Sequence, residues 1–240
     1  MLHEVKRQFN SLEASSDHGV EIKLIVKERI DMKLEAMGVN GFSMLNEHRA
    51  FLGKAFEAYL KKEIKVESPS VLSVGCGVGY EAEPILRVFP NAKYRGIDID
   101  KIHVELARRI NEDLPGNIFE IADAREEGAF AGGPWNVLIL RNPQVMGEIA
   151  DLIAGKRNSK DWEIIIKNSI KFLKTDGIMF ITTPTRHERE IILNQLNILG
   201  RALKLLVDEE NKYKTNLGLY NDDIVILAKK SKMREISCVS

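Results

Sequence analysis

Side chains that can hydrogen-bond or carry charge stand directly after three short apolar runs, at Asp98, Asp123 and Asn142. A fourth apolar run, residues 71–74, leads into the glycine-rich stretch GCGVG at 75–79. Short apolar runs of this kind are typical of buried parallel strands. Ligands of open parallel sheets bind beyond the carboxyl ends of the strands. The four positions together therefore predict a site for a nucleotide-like ligand.

The spacing of the glycines indicates which ligand class is favoured. Glycines let the backbone turn sharply and approach a ligand closely, and the helix predicted after them directs its free N–H groups toward the turn. The dinucleotide fingerprint G-x-G-x-x-G requires its third glycine at position 80, where this chain has Tyr80. Tyr80 therefore argues against NAD or FAD. A P-loop is not matched either, because Ala150 and Arg157 stand at required positions around Gly155.

The G-x-G-x-G loop at 75–79 resembles motif I of the class I S-adenosylmethionine-dependent methyltransferases, and the likeness extends over about residues 70–230. It implies S-adenosylmethionine as cofactor. On this resemblance, the expected cofactor-binding residues are Ser73, Gly75, Cys76, Gly77, Gly79, Glu81, Asp98, Ile99, Asp123, Ala124 and Arg141.

Two of these acids have specific expected roles. In the family pattern the acid of G-x-D accepts hydrogen bonds from both ribose hydroxyls, and Asp98 matches it whereas Asp100 does not. The alternative for Asp98 is a solvated loop acid. Asp123 matches the acid that receives the adenine amino group, with the backbone N–H of Ala124 reaching a ring nitrogen. The alternative for Asp123 is the N-cap of a helix.

The methionine end of the expected site departs from the family pattern. Two residues before the first glycine the family usually carries Asp or Glu, and this chain has Ser73. Glu81 could contact the methionine end, or it could simply be a first-turn glutamate favoured by the helix dipole. For Cys76 we expect the backbone to matter more than the thiol.

The methyl acceptor is expected beside Arg141 and Asn142, which we assign as the catalytic residues. The run Asn142-Pro143-Gln144-Val145 resembles the (D/N)PP(Y/F/W) motif of amino-group nucleic-acid methyltransferases at only two of four positions. We therefore favour a small-molecule acceptor, with a protein side chain second and nucleic acid disfavoured. His48 and His187 could act as general bases, but packed or solvated histidines are the commoner case.

Composition supports this preference. Among 240 residues, Lys and Arg total 35, as do Asp and Glu, so nothing suggests the basic surface of a dedicated nucleic-acid binder. The two cysteines provide no disulfide framework and no zinc spacing. No apolar run approaches the length of a membrane span. We expect a cytoplasmic protein without a membrane partner, and the oligomeric state stays open.

Alternating strand and helix patterns predict the fold class, an α/β, doubly wound, mostly parallel seven-stranded sheet with an antiparallel pair at one edge. We expect three segments: a helical extension over 1–66, the cofactor-binding domain over 67–230 and a loose tail over 231–240. Two amphipathic helices are predicted near 20–37 and 44–64. They could brace the domain or cover the active site.

Two rival functions come from other classes. One is a protein that binds S-adenosylmethionine without turnover, as a sensor or assembly partner. The other is an aminopropyl transferase, whose resemblance normally includes an N-terminal strand domain that the helical residues 1–66 do not match.

Overall fold

The computed structural model describes residues 47–141, 159–183, 185–199, 203–213 and 224–231. The described residues belong to one compact unit, Met44–Ser240. The predicted helix near 20–37, the tail after residue 231 and the Asn142-Pro143-Gln144 run lie outside the described residues, so these expectations remain predictions.

Seven strands form one sheet. Their bounds are β1 Ser70–Val74, β2 Lys93–Asp98, β3 Asn117–Ile121, β4 Trp135–Arg141, β5 Leu173–Thr183, β6 Leu203–Glu210 and β7 Ile224–Lys230. In the described part of the chain, five α-helices accompany them: α1 over residues 47–59, α2 Ala82–Val88, α3 Lys101–Ile110, α4 Ser159–Phe172 and α5 Arg186–Leu199. A 3₁₀ turn covers Glu127–Phe130.

The strand order is β3-β2-β1-β4-β5-β7-β6. Strands β1 to β5 pair in parallel, whereas β7 is antiparallel to both β5 and β6. The predicted fold class and its antiparallel edge pair are confirmed. The chain runs outward from β1 to β3, then returns to place β4 on the other side of β1. The order therefore reverses between β1 and β4, where open α/β sheets bind their ligands.

The helices cover the sheet on both faces because successive strand residues point to opposite sides. In β4, Val137 and Ile139 join the apolar cluster that contains the buried side chains of α1, α2 and α3. Leu138 and Leu140 join the second cluster, with Ile166 of α4. These strand residues are fully buried. The result is the three-layer arrangement expected of a doubly wound fold.

Two boundaries differ from the sequence prediction in an informative way. The sequence pattern predicts a strand from Tyr94 to Asp100, but β2 ends at Asp98 because the Asp100 side chain caps α3 by accepting hydrogen bonds from the N–H groups of Ile102 and His103. The pattern also predicts that a helix leads through a turn at Asp176-Gly177 into the next strand, but both residues lie inside β5. Asp176 has φ of 63°, and the β4–β5 register shifts between Trp135 and Val137, so the turn residues form an irregularity within the strand.

The start of α5 supplies a test of stability against pH. Thr185 Oγ1 donates to Glu188 Oε2 at 3.0 Å and accepts from the Glu188 N–H at 3.2 Å, which is a capping box. Burial raises the pKa of Glu188 above its usual 4.5. At a pH between the two pKa values, Glu188 holds a proton in the folded protein that it releases in the unfolded chain. The contribution of Glu188 to the free energy of unfolding therefore falls as the pH rises from about 4.5 through the raised pKa.

We expect Glu188→Gln to gain stability relative to the unaltered protein as the pH rises from about 4.5 to 7, because glutamine keeps the capping geometry without the charge. Urea unfolding of both proteins at several pH values measures this difference. Glu190→Gln, at an exposed position of the same helix, should show no such trend. A stability difference that stays constant across the pH range would contradict the expectation.

Candidate functional site

The glycine loop joins β1 to α2 at the point where strand order reverses. Gly75, Gly77 and Gly79 all have positive φ, at 66°, 53° and 69°. A Cβ on Gly79 would lie 2.6 Å from the Phe119 ring, so both conformation and space exclude a side chain there. A Cβ on Gly77 would meet nothing within 4 Å, which leaves open space over the loop for a ligand.

Asp98 orders this loop from the end of β2. Its Oδ2 accepts the Gly77 N–H at 2.9 Å, and its Oδ1 accepts the Asp100 N–H at 2.8 Å. The Cys76 N–H also donates to the Ile97 carbonyl at 2.9 Å, so the loop is fixed to β2 at two points. Each carboxylate oxygen keeps a further lone pair for a ligand. Asp98 is 8% exposed, so it is not a solvated loop acid, and its ribose-binding role stays a prediction.

A cleft with a cavity volume of about 60 Å³ opens beside the loop. The predicted residues that line it are Gly75, Asp98, Ile99, Asp123 and Ala124. Trp162 and Ile165 of α4 form its apolar wall. The cleft thus combines an apolar wall with carboxylates at two places, Asp98 and Asp123.

Arg125 engages Asp123 in this cleft. The Arg125 Nε lies 2.9 Å from both carboxylate oxygens of Asp123, its Nη2 lies 2.5 Å from Oδ2, and its Nη1 lies 3.4 Å from Asp161. The Arg125 N–H also donates to Asp123 at 2.9 Å, so Asp123 caps its own turn. The N-cap alternative is thus close to the observed local geometry, although Asp123 caps a turn and not a helix. A ligand amine would have to share this carboxylate with a guanidinium.

At the expected methionine end, this chain has Ser73 where the family pattern has an acid, and the carboxylate of Glu81 contacts Ser73. Ser73 Oγ donates a short hydrogen bond to Glu81 Oε1, and Glu81 Oε2 pairs with Arg141 Nη1 at 3.3 Å. The Glu81 and Arg141 side chains are 2% and 13% exposed. Glu81 therefore brings a buried carboxylate to Ser73, the residue that stands where the family pattern has an acid.

His48 of α1 joins the same cluster. Its Nε2 lies 2.6 Å from Arg141 Nη2, and its ring packs edge-on against Tyr80 with centroids 5.5 Å apart. His48 is 6% exposed. The described part of the second predicted helix thus reaches the end of β4. His187, by contrast, is exposed at the start of α5.

Cys76 behaves as the sequence predicts. The thiol is buried, and burial, with the nearby charges of Glu81 and Asp98, raises the pKa of Cys76 well above its usual value. A protonated thiol is a poor nucleophile. The contribution of Cys76 to the loop is therefore made by its backbone.

Sequence patterns did not identify Arg125, Asp161 or Trp162 as site residues. An arginine two residues after an acid is a common local pair, and Asp161 and Trp162 lie on a helix about 36 positions further on. The one available signal was the amphipathic start of α4. Asn142 lies outside the described residues, so its catalytic role stays a prediction.

The described residues contain neither a candidate metal cluster nor a candidate membrane-spanning helix. No group of three or more His, Cys, Asp or Glu within these ranges is placed to hold a metal ion. No helix in the described part of the chain is long and apolar enough to cross a membrane.

Comparison with known proteins identifies a methyltransferase family. The model of a methyltransferase domain family matches residues 45–213. A Methanocaldococcus jannaschii protein, named as a candidate methyltransferase, is 24% identical over 213 residues, which cover 78% of each chain.

Solved structures share the fold at low identity. The N-methyltransferase NodS from Bradyrhizobium japonicum has a TM-score of 0.54 and 12% identity, covering 81% of this chain and 99% of that one. Magnesium protoporphyrin IX methyltransferase from Synechocystis, with S-adenosylmethionine bound, has a TM-score of 0.55 and 14% identity, covering 77% and 80%. Since the family match covers well over half of the chain, the protein belongs to the class I methyltransferases that use S-adenosylmethionine.

Proposed function

We propose that the protein transfers a methyl group from S-adenosylmethionine to a small-molecule acceptor by in-line displacement. The observation that carries the acceptor class is the enclosure of the polar cluster at the end of β4. Within it, His48, Glu81 and Arg141 have side chains that are almost entirely withdrawn from solvent. An enclosed polar end suits a small molecule better than a nucleic-acid backbone, which is usually met by exposed Lys and Arg.

The cofactor is proposed to lie across the carboxyl ends of β1, β2 and β3. Asp98 would accept the ribose hydroxyls with the lone pairs that remain beside its hydrogen bonds to the Gly77 and Asp100 N–H groups. Asp123 and the backbone of Ala124 would meet the adenine, with Ile99 and Trp162 on either side of the cleft. Gly75, Gly77 and Gly79 would let the backbone come close.

The methionine end would then lie toward Ser73, Glu81 and Arg141. Glu81 provides a buried carboxylate for an ammonium group, and Arg141 provides a cation for a carboxylate. Because the two are already paired at 3.3 Å, their mutual neutralisation limits the cost of burying either charge. The pair would exchange part of this contact for contacts to the ligand.

The bound cofactor supplies an electrophilic methyl group, so this chain needs no nucleophile of its own. Its residues have to align the acceptor with that methyl and exclude water, and such positioning can account for roughly 7–11 kcal/mol of a barrier. Arg141, at the end of β4, and Asn142, which follows it, are the residues we propose to face the acceptor. His48 Nε2 lies 2.6 Å from Arg141 Nη2.

The first test is binding of the cofactor and its demethylated product. We expect calorimetry to detect both S-adenosylmethionine and S-adenosylhomocysteine and to detect no NAD, because Tyr80 occupies the position of the third dinucleotide glycine. Mass spectrometry of natively purified protein should find the same ligand. Absence of binding for both sulfur compounds would refute the proposed site.

The second part of this test identifies the acceptor. Labelled S-adenosylmethionine is incubated with the protein and with separate small-molecule, protein and nucleic-acid fractions of a cell extract. We expect label in the small-molecule fraction. Label in the protein or nucleic-acid fraction alone would show that the small-molecule assignment is wrong, and binding without label in any fraction would favour a non-catalytic binding protein.

A further inference from the structure

Two neighbouring side chains of α1, His48 and Arg49, connect through separate chains of contacts to Glu81 and to Gly79, the residues on either side of Tyr80. Helix α1 does not need them for docking. Its apolar side chains Leu52, Ala55, Phe56 and Tyr59 are 0–5% exposed and belong to the cluster beneath the sheet. Polar contacts added to an already buried helix have another consequence, which is to fix the groups that they contact.

The route from His48 leads to the methionine end. His48 Nε2 lies 2.6 Å from Arg141 Nη2, and Arg141 pairs with Glu81, which holds Ser73. A guanidinium can only donate, so His48 Nε2 accepts and the ring is neutral with its proton on Nδ1. His48 thereby fixes the direction of the Arg141 side chain.

The route from Arg49 leads to the other end of the turn. Arg49 Nη2 donates to Asn111 Oδ1 at 2.8 Å, and Asn111 Nδ2 donates to the Gly79 carbonyl at 3.2 Å and the Ala107 carbonyl at 2.8 Å. Asn111 is 1% exposed. Residues 48 and 49 therefore connect α1 to both Glu81 and Gly79, the residues that flank Tyr80.

We propose that His48 is a positioning residue that holds Arg141, and through it Glu81, in the geometry that binds the methionine end of the cofactor. Docking of the start of α1 and binding of the cofactor are then coupled, and by linkage each strengthens the other equally. The inference rests on the proposed cofactor site. It assigns to α1 a role in ligand affinity in addition to its packing.

Protonation distinguishes this role from simple packing. An imidazolium has no lone pair at Nε2, and it would place a second cation 2.6 Å from Arg141. Among the described residues, the charged and titratable groups around His48 include Arg141 from β4, Tyr80 and Glu81 from the turn before α2, and Glu47 and Arg49 on its own helix. Only the neutral ring can accept from Arg141 Nη2 at this position, so acid pH should mimic loss of the side chain.

The experiment measures the dissociation constant of S-adenosylhomocysteine by calorimetry between pH 5.5 and 8. It compares the unaltered protein with His48→Phe, which keeps a ring against Tyr80, and His48→Gln, whose amide oxygen can accept at the position of Nε2. Glu47→Gln, at an exposed neighbouring position, is the control. Thermal unfolding shows whether each variant is folded.

We expect His48→Phe to bind the product about 5- to 50-fold more weakly at pH 7.5, within the roughly 5- to 150-fold range of a typical coupling between sites. The unaltered protein and Glu47→Gln should lose affinity as the pH falls toward 5.5. His48→Gln should bind nearly as well as the unaltered protein at pH 7.5 and should keep that affinity at pH 5.5. Amide exchange in residues 47–59 should slow on product binding, and less so in His48→Phe.

Equal affinities and equal pH profiles in all four proteins would overturn the proposal and leave α1 a brace. If His48→Phe does not fold, the comparison of His48→Gln with the unaltered protein decides, because only the coupling makes their pH profiles differ. If the unaltered protein binds no product at any pH, the proposed cofactor site itself fails. That outcome is distinct from a protein that binds well but is indifferent to residue 48.

Discussion

Asp98→Asn is expected to weaken S-adenosylhomocysteine binding by about 10- to 100-fold, which corresponds to losing roughly 1.5–3 kcal/mol of hydrogen bonding to a charged group. The carboxylate accepts the Gly77 N–H and the Asp100 N–H in the structure and is proposed to accept the ribose hydroxyls as well. An amide retains one acceptor oxygen and turns an NH₂ group toward one of these donors. Calorimetric titration with the product measures the change.

Asp100→Asn is the matched control for this experiment. Asp100 stands two residues away and caps α3 through the Ile102 and His103 N–H groups. Asparagine caps helices about as well as aspartate does, so this variant should bind the product normally. Equal weakening by both variants would point to general loss of negative charge, and unchanged affinity in Asp98→Asn would remove Asp98 from the proposed ribose site.

Asp98 could be chosen over Asp100 from the sequence only through the family pattern G-x-D, because the apolar run alone predicts a strand that continues to Asp100. Buried strands can be recognised as short apolar runs, and the last residue of a parallel strand lies at the carboxyl end of the sheet, where ligands bind. Asp98 ends β2, and Asp100 begins the turn into α3. The same reasoning located the glycine loop, whose spacing and neighbouring strand are all contained in about ten residues.

Contacts between distant parts of the chain could not be predicted in this way. The Ser73–Glu81 contact spans eight positions, the Glu81–Arg141 pair 60 positions and the Arg141–His48 contact 93 positions. Nothing in the local pattern of α1 says which of its polar residues will face the end of β4. Only the packing of its apolar side chains against the sheet sets that direction.

The adenine end shows the opposite difficulty, since a local pair was present but uninformative. Arg125 and Asp123 are two residues apart, and a solvent-exposed ion pair is usually worth little. Their importance comes from Asp161, which α4 brings within 3.4 Å of the same guanidinium. At this end of the cleft the charged side chains are Asp123, Arg125 and Asp161, where the sequence predicted Asp123 alone.

Glu81→Gln is expected to lower the free energy of unfolding by about 3–5 kcal/mol, the usual cost of removing one partner from a buried ion pair. The Glu81 side chain is 2% exposed, and its oxygens hold both Ser73 and Arg141. Glutamine preserves the size of the side chain but leaves the Arg141 charge uncompensated in a buried position. Equilibrium unfolding in urea, with the slope checked for two-state behaviour, measures the loss.

A double-mutant cycle separates the ion pair from other contributions of Glu81. Arg141→Met removes the guanidinium and keeps much of its apolar stem, so Glu81→Gln combined with Arg141→Met should be more stable than Glu81→Gln alone. Glu105→Gln, which breaks a half-exposed pair with Arg108, should cost less than about 1 kcal/mol. Additive effects of the two buried substitutions would mean that Glu81 is held for Ser73 and the ligand and not for Arg141.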